Sequence, residues 1–525
     1  CDSGKGSKMK QGIKKLIAVT LFIVFFGGIF PPSVFGMEGE IGYFGGISEG
    51  YRLPQTIDQK VVTKSKKSKT IELNYKEVVF ITGKPVEMEG TLSIQSKGRV
   101  DDDVDNGTYD EVYTIKIENP LTKEESLERK ITFETRYYKV KQDHMTQVIK
   151  DSTPKKWTET VRINGKQYTL DSDKSRFIKS MIEDYTPGVQ YYSGKLSTEA
   201  HYINGDERVV VCLEGPLYGY EQPWSKTETQ DLQFIVKSQG GEKNWEMAGT
   251  ITPSVITKKT LKYYQTPNLP HSLEGTYEEI MENHGGLLYT ITSHHPDLSP
   301  KQKKGSLSVP SFNIFEILKA PKNLDFLKGH FAEEDIKKLY SMNILDENPV
   351  FFKPNQAMPR SQYVKALCRA MNIPIEEIET KKTSRRSKEQ VQPQIFADVS
   401  PNHPEYPYIM AAHKAQLIQG DGAYFYPERP ITREEAFVIF VRILGLERLG
   451  LDPTPRTPFV DDAYIAPWAK RDLYAAYNLG LIKGNPEGKI LPKNWLSKAE
   501  AAALTNRLID YLRSDMLRDY RALQY

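Results

Sequence analysis

Two patterns of hydrophobic and polar positions divide most of the chain. From residue 37 to about residue 310, apolar and polar residues alternate in stretches such as YTIKIENP (113–120) and RKITFETRYY (129–138). Alternation with a period of two is typical of half-buried β-strands. Asn-Gly and Gly-Gly pairs between such stretches predict hairpin turns. We therefore expect residues 37–310 to form one or two antiparallel β-rich domains, as sandwiches or barrels.

One segment of this β-rich region follows a different period. KSRFIKSMIEDY (174–185) carries its apolar residues at helical spacing, and Pro187 and Gly188 follow it directly. Helical spacing with a Pro-Gly stop predicts a short helix over 174–185.

The pattern changes near residue 320, where Ala-rich apolar stripes with helical spacing begin. Three segments align with one another, 342–367, 415–440 and 479–504. Each contains the end of one helix, a turn, a short apolar segment and the start of a second helix. Self-similarity on this scale indicates repeated units that bury their apolar faces against one another.

The three copies set the domain boundaries that we expect in the C-terminal part. Unit 1 covers 315–376 and is degenerate, unit 2 covers 394–449 and unit 3 covers 457–512. The charged, apolar-poor segment 377–393 is predicted to be a flexible linker. We expect residues 513–525 to form a C-terminal tail.

The N-terminus carries a third pattern. Lys10, Lys14 and Lys15 precede an almost unbroken apolar run over 16–29. A basic start followed by a short apolar run is typical of a secretory signal peptide, because a spanning helix needs a longer run. We expect residues 1–36 to comprise upstream residues and a signal peptide, with an uncleaved N-terminal anchor as the alternative.

Charge and cysteine content exclude several function classes. Residues 1–36 contain five Lys and one Asp, so their removal changes the formal charge from +3 to −1. This balance gives no indication of nucleic-acid binding. Cys212 and Cys368 are the cysteines that follow the apolar run. They are too few for a disulfide scaffold or for a zinc site built on cysteine pairs.

One acidic segment is a candidate metal site. Asp101, Asp103 and Asp105 have the 1-3-5 spacing of a calcium loop, but the Gly and Glu that an EF-hand requires later in the loop are missing. A solvated Asn-Gly turn explains the segment equally well. We expect no cofactor, with weakly bound Ca²⁺ at these aspartates as the alternative.

The start of the second helix in each repeat combines two opposing signals. In unit 2, Thr432 and Glu435 have the spacing of a capping box, and Arg433 lies between them. A cation in the first turn opposes the helix dipole, at a cost of about 0.3–1 kcal/mol. Arg360 and Lys498 occupy the equivalent place in units 1 and 3. Three cations at an unfavourable place indicate anion binding, and pairing with a nearby surface carboxylate, such as Glu434 or Glu500, is the alternative explanation.

Units 2 and 3 resemble the S-layer homology (SLH) family. The resemblance is carried by FADVS (396–400), HPEYPYIMAAHKAQLIQGDGAYFYPERPITREEA (403–436) and FVDDAYIAPWAKRDLYAAYNLGLIKGNPEGKILPKNWLSKAEA (459–501). These segments match the family's F-x-D start, G-L-I-x-G turn, F-x-P segment and I-T-R-A-E helix start. Unit 1 departs from the pattern, because MPRSQ (358–362) replaces the helix-start motif and F-x-D is absent.

The resemblance implies a fold, a location and a ligand. Three such units form an all-α, pseudo-threefold bundle with grooves between the units. Family members bind secondary cell wall polysaccharides non-covalently, often through a pyruvylated amino sugar. The resemblance thus implies an extracellular protein at the cell wall or S-layer of a Gram-positive-type bacterium. Self-assembly and contact with other envelope proteins are further implied partnerships.

The resemblance also gives the three cations a ligand. A pyruvate ketal carries a carboxylate, free N–H groups at a helix start attract an anion, and arginine can hold a carboxylate through two hydrogen bonds. Trp468 stands at the family's aromatic position, where stacking on a sugar and packing between units are both open. The complete candidate polysaccharide site comprises Arg433, Lys498, Arg360, Trp468, Asp398, Asp461, Gly420 and Gly484.

Two functions remain open for the β-rich region. It is either a binding or structural module of the envelope, or the active-site region of a wall-tethered, polysaccharide-acting enzyme. The sequence contains no P-loop or H-E-x-x-H motif, which favours the first. The paired carboxylates of a glycosidase are defined by a distance in three dimensions, so the sequence assigns no catalytic residue.

Overall fold

The computed structural model divides into a strand-rich part and a helical part, as the sequence predicts. It describes residues 45–48, 69–98, 100, 104–142, 145–241, 243–263, 276–293, 302–309, 313–319, 321, 323–375, 394–446, 453 and 456–516. The predicted signal peptide, Asp101, Asp103, the linker 377–393 and the end of the tail lie outside these described residues.

The strands of the described residues form one antiparallel sheet. They are β1 (Ile47–Ser48), β2 (Lys69–Val79), β3 (Val86–Ser96), β4 (Asn106–Glu118), β5 (Ser126–Gln142), β6 (Met145–Ile163), β7 (Lys166–Leu170), β8 (Arg176–Tyr185), β9 (Gln190–Asn204), β10 (Glu207–Gln222), β11 (Ser225–Gln230), β12 (Leu232–Gln239), β13 (Trp245–Tyr263), β14 (Tyr277–Ser293), β15 (Gln302–Ser308) and β16 (Asn313–Leu318). The last of these strands lies beyond residue 310, where the sequence analysis ends the β-rich region.

The sheet is a series of hairpins, and at two places in the strand order two short strands lie end to end between the same neighbours. Consecutive strands pair from β1 to β6; then β7 and β8 both bridge β6 to β9, and β11 and β12 both bridge β10 to β13. In addition β1 contacts β13 and β14, and β2 contacts β15. The described sheet therefore curls around an apolar interior. The sequence alone did not decide between one or two domains, or between sandwiches and barrels.

The prediction of a helix over 174–185 is wrong, because this segment forms β8 between β6 and β9. Phe177 faces the interior, but the same face carries Lys179 and Glu183, which are 4% and 0% exposed. Glu183 is buried with Lys150, whose Nζ donates to its carboxylate at 2.8 Å. Charged residues on the buried face interrupt the apolar alternation, so the period of two is not visible in the sequence.

In the described part of the chain six α-helices follow, two in each repeated unit. They are α1 (Glu333–Ser341), α2 (Arg360–Ala370), α3 (Tyr406–Lys414), α4 (Arg433–Leu444), α5 (Pro467–Asn478) and α6 (Lys498–Asp510), which continues into a π-helical turn (Tyr511–Asp515). Short 3₁₀ turns lie at Asp325–Leu327 and Asp462–Tyr464.

The backbone repeats along with the sequence. The second residue after the first helix of each unit adopts a left-handed conformation, with φ of 53° at Asn343, 58° at Gln416 and 70° at Gly480. In each unit the next N–H group closes a hydrogen bond to a carbonyl five residues earlier, as in a Schellman motif. This repeated helix stop gives unit 1 the same local geometry as units 2 and 3, despite its degenerate sequence.

Backbone hydrogen bonds join the three units in a cycle. The N–H of Met358 donates to the Leu496 carbonyl (2.8 Å), that of Leu496 to Ile431 (2.9 Å) and that of Ile431 to Met358 (2.9 Å). One of these residues comes from each unit, directly before the second helix. Every unit therefore contacts both others where the second helices start.

The β-rich region covers the opposite ends of these second helices. The last carbonyls of a helix lack partners within the helix, and here side chains of the β-rich region supply them. The donors are Trp224 Nε1 to Ala370 O (2.9 Å), Tyr191 OH to Leu444 O (3.0 Å) and Gln222 Nε2 to Leu512 O (2.8 Å). Val189, Tyr220 and Trp224 also belong to the same apolar core as the helices.

Asp472 in α5 leads to a prediction about pH. Its carboxyl is buried, and burial raises its pKa to about 6, although Arg442 acts in the opposite direction. Because an unfolded aspartate has a pKa near 3.9, the folded state holds this proton more tightly, and stability falls as pH rises through about 4 to 6. We expect Asp472→Asn to raise the free energy of unfolding above pH 7 by up to about 3 kcal/mol, with little change near pH 4. Urea unfolding at both pH values measures this, and an equal shift at both would contradict it.

Candidate functional site

Arg433 lies at the junction between units 2 and 3, which we call junction 2–3. Its Nε donates to the Ile490 carbonyl at 2.8 Å, and its Nη1 donates to the Glu500 carboxylate at 2.9 Å. The guanidinium carbon lies 5.5 Å from the centre of the Phe437 ring. About a fifth of the side chain, 21%, stays exposed. Arg433 thus joins two units, and part of its side chain remains accessible to solvent.

Arg360 repeats this arrangement between units 1 and 2, at junction 1–2. Its Nε donates to the Phe425 carbonyl at 3.0 Å and its Nη1 to the Glu435 carboxylate at 2.6 Å. Burial acts to raise the pKa of Glu435, but Arg360 and the Thr432 N–H outweigh it and leave this pKa below its usual value. Arg429 binds the same carboxylate. The Arg360 side chain is 11% exposed.

Lys498 closes the cycle between units 3 and 1, at junction 3–1. Its Nζ donates to the Glu347 carboxylate at 2.5 Å and lies 5.4 Å from the centre of the Phe352 ring. The side chain is only 5% exposed. The structure therefore places all three predicted cations at equivalent junctions, each paired with a carboxylate of the next unit.

The helix starts themselves differ from the sequence-based interpretation. Both predicted capping boxes, at Thr432 and Ser497, are present. However, the N–H of Arg433 donates to the Asn494 carbonyl at 2.9 Å, and the first N–H groups of the other two second helices also donate to the neighbouring unit. The expectation that free N–H groups at these helix starts attract an anion is therefore wrong. Of the two predicted anion-binding groups, only the cationic side chains remain as candidates for binding a ligand.

Asp398 and Asp461 hold the backbone that faces the arginines. The Asp398 carboxylate accepts the N–H of Phe425 (2.9 Å) and that of the next residue (2.6 Å). Asp461 does the same for Ile490 (2.9 Å) and the residue after it (2.8 Å). Because the carbonyls of Phe425 and Ile490 accept from Arg360 and Arg433, both aspartates act by positioning those acceptors.

The two predicted glycines lie at crowded turns. Gly420 has φ of +71°, and a Cβ there would lie 2.6 Å from both the Phe396 ring and the Tyr424 carbonyl. A Cβ on Gly484 would lie 2.9 Å from the backbone of Gly488. Both positions require a residue without a side chain for packing reasons.

Aromatic residues surround junction 2–3. Trp468, near the start of α5, is 53% exposed, so half of its surface remains available to a ligand. Glu434 lies close by, accepting from the Ala466 N–H at 3.1 Å and pairing with Lys493. Trp495, which the sequence analysis did not select, is 65% exposed and forms a β-bridge with Thr432. A sequence signal could have identified Trp495 as a site residue. It lies just before Ser497, in the segment that precedes the second helix.

Two buried carboxylates of the described β-rich region, Glu77 and Glu159, lie inside the sheet and bind the same arginine. Arg129 donates from Nη1 to Glu77 at 2.8 Å and from Nε to Glu159 at 2.7 Å. Tyr75 and Tyr202 donate to the same two carboxylates. The adjoining cavity, of about 50 Å³, has room for one or two water molecules at about 30 Å³ each. A sugar ring does not fit there.

Two absences, one of a metal-binding group and one of a membrane-spanning helix, apply to the described residues. Within them, no three His, Cys, Asp or Glu side chains converge on a possible metal position. Asp105, from the calcium candidate, is an exposed residue 3.7 Å from Lys141. Within the same ranges, no helix combines the length and the apolarity needed to cross a membrane.

Comparison with known proteins agrees with the resemblance. A family model described as S-layer homology domain matches residues 395–437 and 458–502, which are units 2 and 3. An amylopullulanase of Thermoanaerobacterium thermosulfurigenes is 28% identical over 201 residues, which are 38% of this chain and 10% of the relative. An S-layer protein of Bacillus licheniformis is 29% identical over 188 residues, 35% of this chain and 20% of the relative.

A cellulosome-anchoring protein of Acetivibrio thermocellus is 32% identical over 93 residues, 17% of this chain and 20% of the relative. The chain thus spans a fifth or less of the length of these three relatives. Units 2 and 3 are S-layer homology domains.

Proposed function

We propose that this chain is a secreted envelope protein that its S-layer homology units hold non-covalently at the cell wall. The domain matches, the S-layer protein and the cellulosome-anchoring protein all support an extracellular location at the wall of a Gram-positive-type bacterium. The ligand that we propose is a secondary cell wall polysaccharide with an acidic, pyruvylated sugar.

The observation that carries this proposal is the repetition of one cation at the junctions. Arg360, Arg433 and Lys498 each reach from the start of a second helix to the following unit. This cyclic arrangement supports a pseudo-threefold bundle with one groove at each junction. An acidic sugar at such a groove meets a guanidinium that offers planar, charge-assisted hydrogen bonds. At junction 2–3, Trp468 and Trp495 add exposed ring faces on which a sugar can stack.

The β-rich region is proposed to be a binding or structural module of the envelope. Its buried carboxylates Glu77 and Glu159 are both held by Arg129 inside the sheet. Two carboxylates in this state do not provide the accessible acid and nucleophile that glycoside cleavage requires. Since the region caps the ends of the helices that lie opposite the cations, it is displayed on the far side of the anchor.

Arg433→Ala is expected to weaken wall binding at least tenfold. A hydrogen bond to a charged group contributes about 1.5–3 kcal/mol, and 1.4 kcal/mol corresponds to a factor of ten. The variant also loses its bonds to Ile490 and Glu500, so its thermal unfolding must be measured alongside. Sedimentation of the full chain with purified walls, before and after acid extraction of the polysaccharide, gives the affinity.

Glu500→Gln is the matched control for this experiment. Glutamine preserves the capping box but removes the charge that neutralises Arg433. If the cation serves a ligand, this variant binds walls as tightly as the parent or more tightly. If the ion pair is purely structural, both variants lose stability and neither loses affinity. Equal binding of the parent to extracted and intact walls would overturn the anchoring proposal itself.

A further inference from the structure

Unit 1 carries a glutamate where units 2 and 3 carry the glycine of the turn. The three turns align as NILDENP (343–349), QLIQGDG (416–422) and GLIKGNP (480–486). Glu347 therefore replaces Gly420 and Gly484. At junctions 1–2 and 2–3 this position has no side chain, whereas at junction 3–1 a carboxylate projects from it.

This carboxylate binds the motif cation of its own junction. The distance from Lys498 Nζ to the Glu347 carboxylate is 2.5 Å. At the other two junctions the cation pairs with the capping-box glutamate of the next unit, Glu435 or Glu500. The equivalent residue in unit 1 is Gln362, which is neutral. The negative charge at junction 3–1 thus comes from the turn and not from the helix start.

The turn that carries Glu347 is itself fixed. The neighbouring Asp346 binds Lys365 at 2.8 Å and Arg369 at 2.9 Å, both on α2. Phe352 covers Lys498 from another side. As a result the exposed fraction of the cation falls from 21% at Arg433 and 11% at Arg360 to 5% at Lys498.

We infer that Glu347 is a built-in substitute for the acid group of the polysaccharide. Its carboxylate binds Lys498, the cation of junction 3–1, in the way that an acidic sugar would. It thereby closes this junction to the ligand. The chain then has two polysaccharide sites, at junctions 1–2 and 2–3. This inference rests on the proposed function, because it assumes that the motif cations bind the acidic sugar.

The inference is tested by counting sites in the full chain. The probe is the methyl glycoside of a pyruvylated N-acetylhexosamine, titrated into the protein by calorimetry. We expect two sites in the parent and three in Glu347→Gly, since the variant restores the glycine of the other turns and releases Lys498. The double variant Glu347→Gly/Lys498→Ala is the control, and it should return to two sites.

The possible outcomes separate this inference from the anchoring proposal. Three sites in the parent, or two in a Glu347→Gly variant with the circular dichroism of the parent, would overturn the role of Glu347 and leave anchoring intact. No binding to the parent would overturn the proposed function. Glu347→Ala provides a second test if the glycine variant is unstable, because it also removes the carboxylate and keeps a stiffer backbone.

Discussion

Arg129→Met is expected to lower the free energy of unfolding by about 3–5 kcal/mol, because it leaves two buried carboxylates without their cation. Arg129, Glu77 and Glu159 are all at most 4% exposed. The guanidinium makes four hydrogen bonds to the two carboxylates, two to each. Methionine fills a similar volume, so the loss arises from charge and not from a cavity. Urea unfolding at pH 7 measures it.

Lowering the pH should reduce this loss. Burial already raises the pKa of Glu77 in the presence of Arg129, and removal of the cation raises it further. A carboxyl whose pKa is higher in the folded state contributes stability at low pH and loses it as pH rises. The deficit of the variant is therefore greatest at neutral pH and smaller near pH 4.

Arg136→Met is the matched control on the same strand. The Arg136 side chain is 75% exposed and lies 3.4 Å from Glu134. Exposed pairs of this kind contribute about 0–1 kcal/mol. A comparable loss in both variants, or a deficit at Arg129 that does not change with pH, would contradict the explanation from buried charge.

Trp224→Ala is expected to destabilise the protein by about 3–5 kcal/mol, the range for large aromatic residues removed from a core. Trp224 is fully buried between the β-rich region and the helices. Its Nε1 donates to the last carbonyl of α2, and Lys259 Nζ lies 5.5 Å from its ring centre. The substitution removes the packing, the helix cap and this cation–π contact together.

Scanning calorimetry with Trp495→Ala as control measures this effect. Trp495 is exposed, so its removal should change the free energy of unfolding by about 0.5 kcal/mol or less. Because the two regions share one core, the parent should unfold in a single transition, and Trp224→Ala should lower its midpoint. Two separate transitions in the parent would show that the regions fold independently, as a division near residue 310 predicts.

The positions of Trp224 and of the cations lie at opposite ends of the second helices. An α2 of 11 residues at about 1.5 Å per residue separates the two ends by about 16 Å. The proposed wall-binding junctions and the β-rich region therefore face in opposite directions. A wall-bound molecule presents its β-rich region outwards without the need for a flexible linker between them.

Local patterns in the sequence determined much of this protein. The alternating segments form strands, and the capping boxes at Thr432 and Ser497 form as predicted. The repeats, the positions of the second helices and the SLH resemblance were also visible. All of these depend on residues a few positions apart, whose hydrogen bonds and burial follow from spacing alone.

The partners of the cations were decided by the tertiary structure. Arg360 and Glu435 are 75 residues apart, Arg433 and Glu500 are 67 apart, and Lys498 and Glu347 are 151 apart. The same holds for β8 and for the ion pairs of Arg129, because a charged residue in the sequence indicates a solvent-exposed position until its distant partner is known. Burial of a charge is favourable only when such a partner is present, and only folding brings these pairs together.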